Sequence, residues 1–297
     1  MMFLVGDNPF HGISHLSQER ARSRGDSVTL PEYAANLVTD ALQNGADGFM
    51  FSVSDTTLSI LKMIRKADIE KPVHLFALVP YAYEYVRLAT QVGGMLGLAK
   101  KIAKQIALSG NAVAVTMGLK GIIRKDPLAL MRTYLKYEIS RIKSSVGKHE
   151  NLDSILLHEI ITDSALGLNL EQLFKSYVDF TLKLGIKPGF ETRNFPYLVS
   201  KFREWEINFH EVIIATPFNK IGFQMNPSRT ECEKALADLP TPNVIAMSIL
   251  GAGYLKLTDA SSYLKSLDNL KGVVVGVSKE NHARTTFRIL KEDLANH

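Results

Sequence analysis

Two histidines and an Asp-Asn pair follow the first apolar run of this 297-residue chain. The segment GDNPFHGISH supplies them as Asp7, Asn8, His11 and His15. Carboxylate, amide and imidazole groups can transfer protons, orient a polar substrate or bind a divalent metal. Because Gly12 favours a loop between the histidines, their four-residue spacing does not define a helical metal motif. The segment predicts substrate-binding residues.

A second group of such side chains lies in the middle of the chain. The segment SILLHEIITD contains His158 and Glu159, and GFETRN contains Glu191 and Arg193. In a strand, His158 and Glu159 would point to opposite faces, whereas Glu191 and Arg193 would share one face and favour an ion pair. We predict that His158, Glu191 and Glu159 are catalytic acids or bases. The alternative is that they only hydrogen-bond within the core or tie a strand end together.

Arg193 and Asn219 are predicted to bind the substrate together with the N-terminal group. Further polar residues occur at the predicted strand ends without an assigned role, among them Ser52, Asp163 and Gln224. A metal site is left open, because imidazole and carboxylate suit zinc, manganese or iron but their spacing here is not diagnostic. The candidate metal ligands are His11, His15, His158 and Glu191.

Two segments near the C-terminus predict an anion site. SILGAGYL contains Gly251 and Gly253, whose backbone amides could approach an anion, and GVSKENHAR contains Ser278, Lys279 and Arg284. Ser278 is placed to cap the last helix, and a helix N-terminus favours negative charge. We predict phosphate or cofactor binding here. The alternative is a plain turn followed by a plain helix cap.

The elements that position these residues alternate between short apolar runs and helical periodicity. The predicted strands are 3–6, 48–53, 73–79, 154–161, 188–191, 212–216, 244–248 and 273–277. The predicted helices between them include 31–44, 56–67, 170–184, 197–205, 228–239, 260–267 and 279–294. Eight units favour an α/β fold of the (β/α)8 TIM barrel type, in which strand C-termini carry the functional groups. The absence of GxGxxG after the first strand disfavours an open dinucleotide-binding sheet.

One interval departs from this alternation of strands and helices. Residues 1–297 are predicted to form a single barrel domain with a helical insertion at 81–151, between the third and fourth strands. The insertion is predicted to contain helices at 83–91, 95–108 and 127–146. It follows a strand, so it belongs to the face that carries the active site in such barrels, where it could act as a lid or contact a second subunit. It is too interrupted by polar residues to span a bilayer.

Composition and charge lead to predictions about the location and the partners of the protein. The chain has one cysteine, and its first residues lack the basic flank and long apolar run of a signal peptide, so a cytoplasmic location is expected. The net charge of +5 is spread along the chain, which favours an anionic small molecule over a nucleic acid as partner. A homo-oligomer formed through the insertion is a further expectation.

The C-terminal segments NVIAMSILGAGYL and GVVVGVSKENHARTTFRIL resemble the aldo-keto reductase family. The resemblance covers chiefly residues 211–294. It implies a TIM barrel and contacts to the NADP phosphates from Ser278, Lys279 and Arg284. The histidine of the family's fourth strand corresponds to His158 in ILLHE.

The same resemblance does not supply that family's remaining catalytic residues. Ser52 stands where an aspartate is expected at the end of strand two, the tyrosine position falls in DTTLSIL, and strand three, VHLFALVPY, has no lysine. Because the tyrosine that donates the proton in that family is not matched, the resemblance does not imply ordinary carbonyl reduction. The leading prediction is therefore acid/base chemistry, metal-assisted or not, on an anionic and phosphorylated small molecule by an isomerase, lyase or hydrolase. The alternatives are a divergent NADP(H) oxidoreductase and a non-catalytic ligand-binding barrel.

Overall fold

Eight parallel strands close into a barrel. A computed structural model describes residues 1–12, 26–67, 69–80 and 126–294. The strands are β1 Met2–Gly6, β2 Gly48–Ser52, β3 Val73–Val79, β4 Glu150–Leu157, β5 Lys187–Glu191, β6 Ile213–Pro217, β7 Val244–Met247 and β8 Leu270–Gly276. Each strand pairs with the next in sequence, and β8 closes on β1 with Leu4 opposite Val274. The predicted (β/α)8 TIM barrel is confirmed.

The described residues contain nine α-helices, most of which lead from one strand to the next. They are α1 Pro31–Gln43, α2 Asp55–Ile64, α3 Pro127–Ser145, α4 Glu159–Gly167, α5 Glu171–Lys183, α6 Phe195–Glu204, α7 Arg229–Ala237, α8 Leu257–Leu264 and α9 Glu280–Leu294. Several begin at a side-chain cap. Ser54 and Thr57 form a reciprocal capping box at α2, and Asp126 accepts two backbone N–H groups at the start of α3.

Side-chain alternation along each strand separates two apolar layers. Leu4, Met50 and Leu156 belong to a small cluster inside the barrel, whereas Phe3 and Phe190 belong to the larger layer between strands and helices. Because Phe190 faces the helices, the residues on either side of it face the barrel interior. This alternation brings the last residue of β5 into the mouth of the barrel.

The fourth strand begins and ends four residues earlier than predicted. It was expected to continue to residue 161, but β4 ends at Leu157 and the unpredicted helix α4 starts at Glu159. The apolar pair Ile160 and Ile161, which favoured a strand, begins this helix instead. The Nδ1 atom of His158 accepts the N–H of Ile160 at 3.3 Å and so caps the first turn.

The predicted insertion is described only in its last part. Helix α3 confirms the element predicted at 127–146, while the elements predicted at 83–91 and 95–108 lie outside the described residues. No helix in the described ranges combines the length and apolarity that a membrane crossing requires.

Candidate active site

The ends of β4 and β5 bring three predicted catalytic residues together. These strands are neighbours, with Leu156 opposite Gly189 and Leu157 opposite Phe190. Their next interior-facing positions are His158 and Glu191, at the carboxyl end of the sheet where barrel active sites lie. Gly189 leaves room below them, since a Cβ there would come within 2.4 Å of the Leu156 side chain.

Glu191 is a buried carboxyl group at the centre of this arrangement. Its side chain is 9% exposed, its Oε2 atom accepts the backbone N–H of Glu159 at 3.2 Å, and it lies 4.0 Å from His158 Nε2. Burial raises the pKa of Glu191 to about 8, and the neighbouring carboxylate of Glu159 adds to the effect. Glu191 is therefore a neutral acid near pH 7 and can donate a proton.

His158 is an uncharged imidazole beside that acid. Burial lowers its pKa below the ordinary value of 6.5. Its Nδ1 atom accepts the Ile160 N–H, so its proton is placed on Nε2, the atom that faces Glu191. A distance of 4.0 Å is long for a direct hydrogen bond, and such contacts tighten when a substrate binds.

Arg193 forms its ion pair with a different carboxylate from the predicted one. The predicted Glu191–Arg193 pair assumes a strand that runs past Glu191, but β5 ends there and the chain turns. The guanidinium of Arg193 instead donates from Nε to Glu159 and from Nη1 to the side-chain oxygen of Gln224. Glu159, predicted to be catalytic, is thus the ion-pair partner of a predicted substrate-binding residue.

Asp163 fixes the backbone beneath this arginine. Its carboxylate accepts the Thr192 hydroxyl at 2.5 Å and the backbone N–H of Arg193 at 3.0 Å. It lies one helical turn after Glu159 on α4, so both carboxylates reach the end of β5 from one helix face. Burial raises the pKa of Asp163.

The N-terminal group reaches the barrel mouth through Asp7. Its Oδ2 atom accepts the backbone N–H of Ser52 at 2.6 Å and lies 3.1 Å from His11 Nε2. Asp7 and His11 belong to one side of the mouth, and Asp7 is close enough to influence the pKa of both Glu191 and His158. Asn8 is exposed at the start of a short 3-10 helix.

A metal centre is not formed by the candidate ligands that the structure describes. His15 lies outside the described residues. Within them, no three His, Cys, Asp or Glu side chains converge as metal ligands. Asp7 and His11 contact each other, and the Nδ1 atom of His158 is occupied by its cap.

Asn219 is oriented toward its own loop. Its side chain accepts the Phe223 N–H at 2.7 Å and donates to the Phe223 carbonyl at 2.9 Å, and the residue is fully buried. Both ends of the amide are thus used to shape the turn after β6. Its predicted contact with a substrate stays a prediction.

The predicted anion-binding residues lie at the ends of β7 and β8, but their donors are largely occupied. The Gly251 N–H donates to the Ser248 carbonyl and the Gly253 N–H to the Leu250 carbonyl, each at 2.8 Å. Both glycines have positive φ angles, 51° and 93°, which accounts for their residue type by backbone geometry.

The basic residues of this region differ in what they contact. Arg284 donates from Nε to Asp40 on α1 at 2.9 Å. Helix α9 begins at Glu280, so Lys279, and not Ser278, directly precedes it. Lys279 is exposed and forms no ion pair with a described residue. It is the basic group best placed to meet an anion at the start of α9.

Two contributors to the site had no role assigned from sequence, Asp163 and Gln224. The signal for Asp163 was its four-residue spacing from Glu159, which is informative only once that segment is recognised as a helix. Gln224 has a φ angle of 59°, uncommon for a residue with a side chain, and no sequence pattern marks its contact with Arg193.

Comparison with known proteins gives the fold and no closer relationship. No protein-family model and no curated protein matches the sequence. Two solved structures from Pseudomonas aeruginosa, both described as a "putative aldo-keto reductase", are similar to this chain. Their TM-scores are 0.60 and 0.57, each with 10% identity over 98% of this chain and 90% of the other. At this identity the likeness shows a shared barrel fold.

Proposed function

We propose that this barrel is an enzyme that transfers a proton to or from a small substrate through Glu191 and His158. The observation that carries the proposal is the pairing of a buried carboxylic acid, protonated near pH 7, with an uncharged imidazole 4.0 Å away at the mouth of the barrel. A carboxylic acid that its environment keeps neutral near pH 7 can donate a proton and, as the carboxylate that remains, accept one.

The roles follow from the protonation states. Glu191 donates its proton to an oxygen of the substrate, and the Glu159 N–H on its Oε2 atom stabilises the carboxylate that remains. His158 keeps its proton on Nε2 and donates a hydrogen bond from it to the same oxygen, and the Glu191 carboxylate then takes a proton back from the substrate or from water. Arg193 orients the substrate from the neighbouring loop, held in place by Glu159 and Gln224.

A distal anionic group of the substrate would be held at the start of α9 by Lys279. Barrels frequently bind phosphate on the loops after strands 7 and 8, and Lys279 lies in the second of these loops. The Gly251 and Gly253 amides take no part in this proposal, because they already donate within their turn. An isomerase, lyase or hydrolase acting on a phosphorylated small molecule fits this arrangement.

The proton-transfer proposal can be tested without knowing the substrate. The protein is incubated with a mixture of small metabolites in D2O, and deuterium incorporation or conversion is followed by mass spectrometry. We expect at least one compound to be labelled or converted by the wild-type protein, and by a Glu150→Gln variant, but not by Glu191→Gln. Glu150 is a buried glutamate at the opposite end of β4 and serves as the matched control.

Two results would reject the proposal. One is labelling that survives in Glu191→Gln. The other is the absence of any labelling or conversion together with tight binding of a compound, which would indicate the non-catalytic ligand-binding barrel.

The second candidate is an aldo-keto reductase-like oxidoreductase that uses NADP(H). The comparisons support it better than they support phosphate chemistry, because the solved structures that share the fold are described as reductases. The residues assigned to the NADP phosphates fit less well, since Arg284 is engaged by Asp40 and the glycine amides are occupied. Titration with NADPH distinguishes the two: fluorescence transfer that disappears in Lys279→Ala supports the reductase, and no transfer removes it.

Two expectations about the cellular context remain predictions. These are a cytoplasmic location and a homo-oligomer formed through the insertion at 81–151. Light scattering on the wild-type protein and on a variant lacking 95–125 would test the second.

A further inference from the structure

Arg193 presents only part of its guanidinium to a substrate. Nε is taken by the Glu159 carboxylate, Nη1 by the side-chain oxygen of Gln224, and the backbone N–H by Asp163. Nη2 donates to no described residue. The side chain is 20% exposed, and the edge of the guanidinium that carries Nη2 is the one left for a substrate.

The charges around this edge are not those of an anion site. The carboxylates of Glu159 and Asp163 lie against Arg193, and Asp7 is near Glu191 and His158. Glu191 is an uncharged acid and His158 an uncharged imidazole near pH 7. The positive charge of Arg193 is compensated by direct contact with Glu159. A further carboxylate or a phosphate brought here would meet repulsion from Glu159 and Asp163 at low effective dielectric.

Gln224 fixes the available edge without adding charge. It accepts from Nη1 through a neutral amide and does so from a left-handed backbone conformation, φ 59°. Such a conformation is unfavourable for a residue with a side chain and persists where surrounding contacts maintain it. The loop after β6 thus orients Arg193 while Glu159 neutralises it.

We infer that the part of the substrate entering the centre formed by Glu191, His158 and Arg193 is an uncharged oxygen group, a hydroxyl, carbonyl or amide, and that Glu159 is the residue that excludes anions. Arg193 Nη2 donates a hydrogen bond to that oxygen. Any anionic group of the substrate lies away from this centre. The inference rests on the proposed function only in taking this centre as the place where the substrate reacts.

Acetamide and acetate provide a matched uncharged and charged pair of probes. Binding is followed by NMR from the ring signals of isotope-labelled histidines, with the His158 signal identified by its loss in His158→Gln. In the wild-type protein we expect acetamide, and not acetate, to shift the His158 signal at equal concentration. In Glu159→Gln the ratio of acetate to acetamide affinity should rise about tenfold, because the guanidinium loses its counter-charge.

A second variant, expected to change the ratio of acetate to acetamide affinity in the opposite direction, is used if the first does not fold. If Glu159→Gln does not give a cooperative thermal transition, Arg193→Gln is used, and its acetate to acetamide ratio should fall below that of the wild-type protein. Equal binding of both probes to the wild-type protein, or a ratio unchanged in the folded variant, overturns the inference. These measurements involve no turnover. A barrel without proton-transfer activity could still show the preference, and an active one could lack it.

Discussion

The two sides of the barrel mouth differ in the partners of their hydrogen bonds. At the ends of β4 and β5, the polar side chains bond across elements, with Glu191 joined to α4 and Arg193 joined to α4 and to the loop after β6. At the ends of β7 and β8, the backbone amides of Gly251 and Gly253 donate within their own turn. The first region concentrates buried titratable groups, whereas the second is an ordinary tight turn followed by an exposed lysine.

This difference separates polar groups that can still interact with a substrate from polar groups whose hydrogen bonds are already formed within the fold. Glu191 is buried and forms no ion pair with a described lysine or arginine, so it keeps its proton near pH 7. That proton is available for transfer to a substrate. A backbone amide that already donates to a carbonyl has little left for an anion. We therefore expect substitutions in the first region to alter the chemical step and those in the second to alter binding or stability.

The largest expected effect is that of Glu191→Gln on turnover. Glutamine keeps the shape and accepts the Glu159 N–H but cannot donate a carboxylic proton. We expect kcat on the compound found by deuterium labelling to fall about 10²–10⁴-fold, as for loss of a general acid or base. Steady-state kinetics measure this, with Glu150→Gln as the control that should keep its kcat. A small fall in kcat with a large rise in KM would place Glu191 in binding.

The next effect concerns the pH dependence of stability. Between about pH 5 and 8 the folded protein keeps the Glu191 proton that the unfolded chain releases near its ordinary pKa of 4.5. The free energy of unfolding should therefore fall as pH rises through this window, by up to about 1.4 kcal/mol per pH unit, and level off above it. Urea unfolding at a series of pH values measures this slope.

A variant isolates the contribution of this single carboxyl group. Glu191→Gln should flatten the slope between pH 5 and 8 and unfold with a higher free energy than the wild-type protein above pH 8. Lys279→Ala, from the other side of the mouth, should retain the wild-type slope. Parallel curves for wild-type and Glu191→Gln would show that the carboxyl is already ionised in the folded protein.

Much of the fold could be predicted from sequence, because parallel strands buried on both faces leave short apolar runs that recur regularly. The fourth strand was placed four residues too late, because two isoleucines after Leu157 continue the apolar run into a helix. That error also misdirected the site, since treating Glu159 as a strand residue removed it from contact with Arg193. The contact of Gln224 with Arg193 could not be predicted, because it depends on a backbone conformation that the loop after β6 imposes.

Lys279→Ala should have a smaller effect than Glu191→Gln, and of a different kind. If Lys279 holds a distal anionic group, KM should rise about tenfold with kcat unchanged, since an exposed charge contributes equally to ground-state and transition-state binding. The difference in KM between the wild-type protein and Lys279→Ala should become smaller at high salt, because Lys279 is exposed. Lys234→Ala, an exposed lysine on α7, is the matched control. An unchanged KM would remove the anion site from the second region.

The smallest effect distinguishes structural glycines from anion-binding ones. Gly253 has a φ angle of 93°, and its N–H already donates to Leu250. Gly253→Ala should therefore lower the free energy of unfolding by about 1 kcal/mol through backbone strain, leaving the affinity for inorganic phosphate unchanged. Gly185→Ala, at φ 72° after α5, should cost a similar amount, since apart from its chain neighbours no atom of the described residues lies within 4 Å of the added Cβ. If Gly253→Ala alone weakened phosphate binding, the turn would be an anion site, and the contrast between the two sides of the mouth would not hold.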